Sequence, residues 1–446
     1  MKVIVVGAGA AGLAATRVLR ARGADVVTLE KADAPGGRIA GAEREGYLLD
    51  LGAQFFTKYY NTTFDVCRAV GLADDLVDYR MRSAAWRDGR MYPLQLSRDL
   101  GATWRSRQYA PRSPRVHLQL ARLMARMFAR RADLAFPSFE QVADLDRECL
   151  AEYVLRVAGP EVLEYFIQPA ASSLSCAQPE DMCAANGLSL TWHIMSGVFK
   201  GFAALSHGMD SLALAMAGDC GDSVRTGTPA RRIVIEDGAV KGVEVDGGVM
   251  EADAVLCATT ATTALGLLPG LPDSLRLPLE KVRYSACCHA MFALEQRIAP
   301  EGTYANSIPR RSGSPVVVVG LDSAKSPNYA PPGCELAHCF TFGPAAFELN
   351  EMPDGEVVRR LTGEMRRFFP GLRAPAFVEI YRWKEALCFY PPGMMTAIGR
   401  MERGSYRDVR GLYLCGEYMR MPGTVEGAFR SGIDAARLAT ADLAGR

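Results

Sequence analysis

The chain has 446 residues, of which 49% are hydrophobic, 23% charged and 9% aromatic, and 51 Lys+Arg against 50 Asp+Glu leave a formal charge of +1. That length accommodates two or three domains with a sizeable core. So small a net charge argues against a dedicated nucleic-acid binder, and the apolar content argues against disorder. No apolar run reaches about 18 residues, so no spanning helix is expected. The 12 cysteines are scattered without a CxxC, which points to a reducing cytoplasm rather than a disulfide scaffold or a structural zinc site.

The first segment, Lys2-Val3-Ile4-Val5-Val6, is a short β-branched run that reads as a strand and not as a signal peptide. Gly7-Ala8-Gly9-Ala10-Ala11-Gly12 follows, and Leu13 to Arg20 has helical spacing. Strand, GxGxxG and helix together form a dinucleotide-binding fingerprint. Gly7 permits the tight turn, Gly9 lets backbone approach a pyrophosphate, and Gly12 lets helix and strand pack closely. A second strand, Asp25 to Leu29, ends in Glu30, whose carboxylate suits a ribose hydroxyl pair. In Pro35-Gly36-Gly37-Arg38 two glycines precede a guanidinium suited to a diphosphate, although the glycines alone spell only a turn.

Farther along, segment 98–131 carries nine arginines and one acid, Asp99. Arg122, Arg126 and Arg130 recur at i, i+4 and i+8 beside Leu120, Leu123, Met124, Met127 and Phe128. This reads either as a solvated face over a packed one or as a basic amphipathic helix on an anionic membrane surface. A helix is expected over Glu148–Val157. The run Leu188 to Met195, with Trp192, suits a large apolar pocket or plain core. Leu212–Met216 reads as helix, Ser223–Val245 as strands around Ala230, and Glu251–Thr259 as a strand. Tyr284 to Phe292 is a strand carrying His289. Near the end, Gly411 to Cys415 is a strand leading to Gly416-Glu417, and Pro422 to Ala428 opens a helix through Ala436.

Two sets of residues carry a family resemblance. Pro35-Gly36-Gly37-Arg38 with Asp50-Leu51-Gly52-Ala53-Gln54-Phe55 resemble the GGR and DxG segments of the flavin-containing amine oxidase superfamily, which includes protoporphyrinogen oxidases and phytoene-type desaturases. Gly416-Glu417 and the helix opening after it resemble that family's terminal motif. Ile167-Gln168-Pro169 and Pro179 to Met182 are similar to a stretch of protoporphyrinogen oxidases. The resemblance implies non-covalent FAD and an α/β fold, α+β overall. A discontinuous Rossmann-like FAD-binding domain would take 1–75, 205–275 and 400–446. A substrate domain of mixed sheet and helical insert would take 76–204 and 276–399, with 96–204 mainly helical. Implied cofactor contacts are Gly7, Gly9, Ala10, Ala11, Gly12, Glu30, Lys31, Gly37, Arg38, Gly52, Ala53, Gln54, Phe55, Ala230, Ala258, Thr259, Trp383, Gly416, Glu417, Thr424, Val425 and Ala428.

A flavin carries the hard chemistry of such enzymes, so no loud acid–base constellation is expected. Five histidines, His117, His193, His207, His289 and His338, show no metal-ligand spacing, and His338 with Cys334 and Cys339 lacks a fourth ligand. There is no GxSxG elbow. By the family's pattern, His289 falls where amine oxidases carry a lysine near the flavin. Counting back from Pro391-Pro392-Gly393, Glu385 falls at the covalent-flavin cysteine and Ala386 at an aromatic-cage tyrosine. These departures favour a bulky apolar substrate, such as a tetrapyrrole precursor or an isoprenoid, over an amine or amino acid. O2 or another acceptor would take the electrons; a non-catalytic flavoprotein is the remaining reading. His289, Tyr390 and Trp192 are the pocket candidates. His289 reads either as a satisfied strand histidine or as a proton-transfer group. No nucleic-acid partner is expected, and peripheral membrane contact rests on the arginine-rich helix.

Overall fold

A computed structural model describes residues 1–94, 108–109, 113–136, 138–404, 408–420 and 423–444. Its first layer is a five-stranded sheet gathered from distant parts of the chain, in the order Val224–Arg225, Asp25–Leu29, Lys2–Val6, Ala254–Cys257, Leu412–Leu414. Every pairing in it is parallel. Val3 to Val6 are buried on both faces, which is why this strand is a continuous apolar run and not an alternating one. One face is covered by helix Ala10–Ala21, flanked by Ser211–Cys220 and Val425–Ala444. Small residues set the closeness of that packing: a Cβ on Gly432 would lie 2.0 Å from the Ala11 carbonyl oxygen. The opposite face meets a three-stranded antiparallel sheet, Arg232–Glu236, Ala239–Val245 and Gly248–Glu251, through Ile233 and Val243.

The second layer is a seven-stranded sheet in the order Phe377–Trp383, Cys287–Leu294, Glu335–Thr341, Val316–Leu321, Thr303–Ser307, Arg82–Arg87, Arg90–Leu94. All its pairings are antiparallel except Thr303–Ser307 with Arg82–Arg87. The two-residue period of a strand sorts Cys287–Leu294 into two faces. Cys288, Ala290, Phe292 and Leu294 pack under helix Asp354–Phe368, which presents Val357, Leu361, Met365 and Phe368. Met291 and Ala293 point the other way, onto Tyr47 and Leu49 of the hairpin Gly41–Arg44/Tyr47–Asp50. His289 shares this second face.

The helical insert comprises Pro114–Ala129, Arg131–Ala135, Leu150–Ala158, Gln168–Ser175 and Ala184–Lys200. Leu150–Ala158 opens with a capping box in which the Cys149 sulfur, rather than a hydroxyl, accepts from the Glu152 amide. The arginine-rich helix buries Val116, Leu123 and Met127. Its basic row does not stay on one free face. Arg122 and Arg126 are exposed, whereas Arg130 pairs with Asp144 at 2.6 Å and Asp133 at 3.2 Å. Phe128, expected on the packed side, is 60% exposed. Much of the segment 95–112 preceding this helix lies outside the described residues. Among the described residues no helix is long and apolar enough to cross a membrane.

Candidate active site

Parallel strands present their carboxyl ends together, and three such ends build one edge of the site. Lys2–Val6 delivers Gly7 to Gly12, Ala254–Cys257 delivers Ala258 and Thr259, and Leu412–Leu414 delivers Gly416 and Glu417. The motif glycines divide into two kinds. Gly7 has φ +101°, and a Cβ there would lie 3.0 Å from the Ala258 oxygen; on Gly12 it would lie 1.8 Å from the Gly7 oxygen. Those two serve the protein's own packing. A Cβ on Gly9 would meet nothing nearer than 4.0 Å. Helix Ala10–Ala21 begins there with no side-chain cap and no acid in its first turn. Its free N–H groups therefore face open space, the geometry an anion fills.

Glu30 stands at the end of its strand, accepting from the Ala8 amide at 2.8 Å and the Ala32 amide at 3.0 Å. Lys31 beside it is exposed, Gly37 approaches Gly9, and Ala230 leads into the small sheet. Arg38 Nη2 pairs with Glu417 Oε2 at 2.6 Å. Burial alone would lower the Arg38 pKa, but the Glu417 charge and hydrogen bond hold it above the usual value. Glu417 Oε1 is buried and has no hydrogen-bond partner among the described residues, which leaves it free to accept from a hydroxyl or amide donor. Thr424 hydroxyl caps the entry to Val425–Ala444 by accepting from the Gly427 amide, and the Ala428 amide returns to Thr424.

The segment Asp50–Phe55 forms the second edge. A Cβ on Gly52 would lie 2.2 Å from the Arg38 oxygen, and the Ala53 amide donates to that same oxygen at 3.0 Å. Gln54 Nε2 donates to the carbonyls of Asp50 and Gly52, and Phe55 stacks edge-on with Phe202 and Tyr304. Trp383 Nε1 donates to the Leu51 oxygen at 2.8 Å.

These geometries fit FAD. The open space over Gly9 suits a pyrophosphate, Glu30 a ribose, and the partnerless Glu417 oxygen a hydroxyl of the ribityl chain. Glu385, at the covalent-flavin position, accepts from the Thr260 hydroxyl at 2.8 Å. The pocket candidates separate. Tyr390 is wholly buried and its hydroxyl donates to the Glu417 carbonyl at 2.7 Å, so it braces the cofactor edge. Trp192 packs edge-on against Phe128 in the helical insert, in a different cluster from Trp383. His289 has both ring nitrogens engaged and stacks on Phe340 at 4.2 Å. Buried Lys325, Asp322 and Asp50 form a polar group that sequence reasoning missed. The one available signal was the rarity of lysine, eight in the chain.

A parallel sheet whose strand ends leave room for a dinucleotide, facing a mixed sheet across Asp50–Phe55, is an arrangement suited to a cofactor-dependent oxidoreductase. The comparisons give the class its family. The chain matches the flavin containing amine oxidoreductases over residues 10–440. It is 28% identical over 347 residues to the zeta-carotene-forming phytoene desaturase of Myxococcus xanthus, covering 69% of this chain and 62% of that protein. It is 24% identical over 477 residues to polyamine oxidase 5 of Oryza sativa subsp. japonica, covering 97% and 86%. Its fold matches, with TM-score 0.79 and 19% identity over 99% of both chains, the crystal structure of a protein of Exiguobacterium sp. 255-15 assigned as a protoporphyrinogen oxidase. The chain belongs to the flavin-containing amine oxidoreductase family, whose members are FAD-dependent oxidoreductases.

Proposed function

We propose that the chain takes hydride from a bulky, mostly apolar molecule of the tetrapyrrole-precursor or isoprenoid kind, with non-covalent FAD as the acceptor. The single observation carrying this reading is Ala386. Where an amine oxidase needs a second ring beside the flavin, this chain has a methyl group, set in an apolar cluster with Cys176, Cys287, Val317, Val318 and Phe342. Trp383 and Phe340 border that cluster. Bound FAD supplies the hydride acceptor, and O2 or another oxidant restores it. The protein's share is to hold the cofactor through Glu30, Arg38 and Glu417, to fix Asp50–Phe55, which the family resemblance sets beside the flavin ring, and to keep water out. The FAD-binding part comprises 1–75, 205–275 and 400–446, which supply the parallel sheet; 76–204 and 276–399 supply the seven-stranded one. Amine or amino-acid oxidation is the second reading, favoured by the likeness to the polyamine oxidase along nearly the whole chain.

An anaerobic flavin-bleaching screen tests the choice. Porphyrinogens, carotenoid precursors, squalene derivatives and amines would be offered in turn. Bleaching by an apolar class is expected; bleaching by amines alone overturns the proposal.

A further inference from the structure

A buried ammonium stands behind Asp50–Phe55. Lys325 follows the strand Val316–Leu321, just past the turn Asp322–Ala324, and is wholly buried. Its Nζ donates to Asp50 Oδ2 at 2.8 Å and to Gln54 Oε1 at 3.2 Å. Asp322 Oδ1 stands 3.0 Å away as a second counter-charge. The rings of Tyr329 and Tyr304 lie 4.6 and 5.7 Å from the same nitrogen. An ammonium taken out of water is tolerated only where acceptors and counter-charges replace its hydration, and here they do.

A buried ammonium can only donate, so each atom it bonds must accept. That rule settles the Gln54 amide. Its oxygen faces Lys325, and its nitrogen is therefore turned inward, donating to the Asp50 carbonyl at 2.7 Å and the Gly52 carbonyl at 3.0 Å. The side chain thereby staples its own loop shut. Flipped over, the same amide would set its NH2 against the ammonium and its oxygen against two carbonyls, and all three hydrogen bonds would be lost together. Asp50 is held on its other oxygen by the Met209 amide at 2.8 Å. Between the two gripped ends, the Leu51 carbonyl meets Trp383 Nε1 at 2.8 Å, and the Ala53 amide donates to the Arg38 oxygen at 3.0 Å. Arg38 itself pairs with Glu417. A methionine in place of Lys325 would fill a similar volume, yet it would leave Asp50 charged and unpaired on one oxygen and Gln54 free to turn.

We propose that Lys325 is a positioning residue for the flavin: by holding the Asp50 carboxylate and setting the Gln54 amide, it fixes the conformation of Asp50–Phe55, which the family resemblance sets beside the flavin ring. The proposal rests on the flavoprotein reading for what this segment touches, and on hydrogen bonds of the chain alone for how the segment is held.

The test uses the FAD-bound protein as wild type, Lys325→Met, Gln54→Leu and the double variant. Three quantities are read: the Kd of FAD, the visible circular dichroism of bound flavin, and the fluorescence anisotropy decay of its ring. Lys325→Met should weaken FAD by about tenfold or more, the effect of losing roughly one charged hydrogen bond. The flavin that stays bound should show a diminished dichroism band and a ring that reorients within its site. Gln54→Leu keeps the Lys325–Asp50 pair, so no buried charge is stranded, and it should change dichroism and anisotropy in the same direction. The double variant should match Lys325→Met, because the lysine acts on the ring through the glutamine. A lysine with a structural role alone would lower the melting temperature and leave the dichroism and anisotropy of bound flavin at wild-type values; that outcome overturns the proposal. Additive effects in the double variant overturn it as well. Should Lys325→Met fail to fold, Lys325→Met combined with Asp50→Asn removes the charge on both sides of the pair and takes its place, and wild-type dichroism and anisotropy in that protein overturn the proposal. Wild type that binds no FAD would sink the flavoprotein reading and this proposal with it, whereas wild type that binds FAD beside variants indistinguishable from it sinks this proposal alone.

Discussion

At the scale of single residues, two glycines of one motif should behave oppositely. Gly12→Ala forces a Cβ to within 1.8 Å of the Gly7 oxygen, and overpacking of this kind costs about 1–3 kcal/mol or more. That variant should express poorly or melt early. Gly9→Ala meets no protein atom nearer than 4.0 Å, so it should fold with stability within about 1 kcal/mol of wild type yet purify with little FAD. The flavin-to-protein absorbance ratio and a melting curve together check both. Asp322 gives a second test. Its pKa is raised to about 6, so between about pH 4 and 6 the folded state binds more protons than the unfolded one, and stability falls as pH rises. The shift of about 2 units corresponds to about 3 kcal/mol. Wild type measured against Asp322→Asn should lose most of that between pH 4 and pH 7 in urea titrations, and a constant difference would contradict it. The motif glycines and Glu30 were legible because their meaning lies in local spacing. The grouping of Asp50 and His289 with Asp322, Lys325 and His338 was not, since tertiary packing brings a hairpin, two strands and a turn together.

At the scale of elements, the arginine-rich helix makes the separable prediction. Its exposed side carries Leu118 and Phe128 together with Arg122 and Arg126. If it rests on an anionic bilayer, each arginine near the surface contributes about 1 kcal/mol. Arg122→Gln with Arg126→Gln should therefore abolish low-salt sedimentation with anionic vesicles and leave folding intact. Arg130→Gln should do the reverse: vesicle binding persists, while stability drops by up to about 1 kcal/mol as the pairs with Asp133 and Asp144 are lost. Wild-type protein that ignores such vesicles sinks the membrane reading. The existence of this helix was readable from its apolar spacing, but the inward turn of Arg130 was not. Of its acidic partners, Asp133 lies three residues on, in the next helix, and Asp144 lies in a later turn that no periodicity announces. The strand carrying His289 was likewise readable, and its two faces were not assigned because every one of its residues is buried.

At the scale of the molecule, FAD should act as a structural clamp, because Gly9, Glu30, Arg38, Ala258 and Glu417, the groups proposed to line its site, stand on separate elements. A ligand bound only by the folded state adds about 2.7 kcal/mol at a hundredfold excess over its Kd. Calorimetry with added FAD should show that gain, and Glu417→Gln should reduce it through weaker binding. The mixed α/β architecture was legible at this scale from motifs at opposite ends of the chain. The order of the seven-stranded sheet was not, since antiparallel strands of similar composition carry no register signal.

The parallel sheet also sets a timetable. Its central strand Lys2–Val6 emerges first, yet Ala254–Cys257 awaits Leu412–Leu414 along its free edge, and helix Ala10–Ala21 awaits Val425–Ala444. At roughly 5–20 residues per second, about 20 to 80 seconds separate the two helices during synthesis and about 8 to 30 seconds the two strands. Through that interval the nascent chain exposes the small-residue groove that Gly432 later fills and a bare strand edge beside it. A ribosome-stalled chain ending before Leu412 should bind holding chaperones and be cut readily by protease, and one extended past Ala444 and clear of the exit tunnel should resist both.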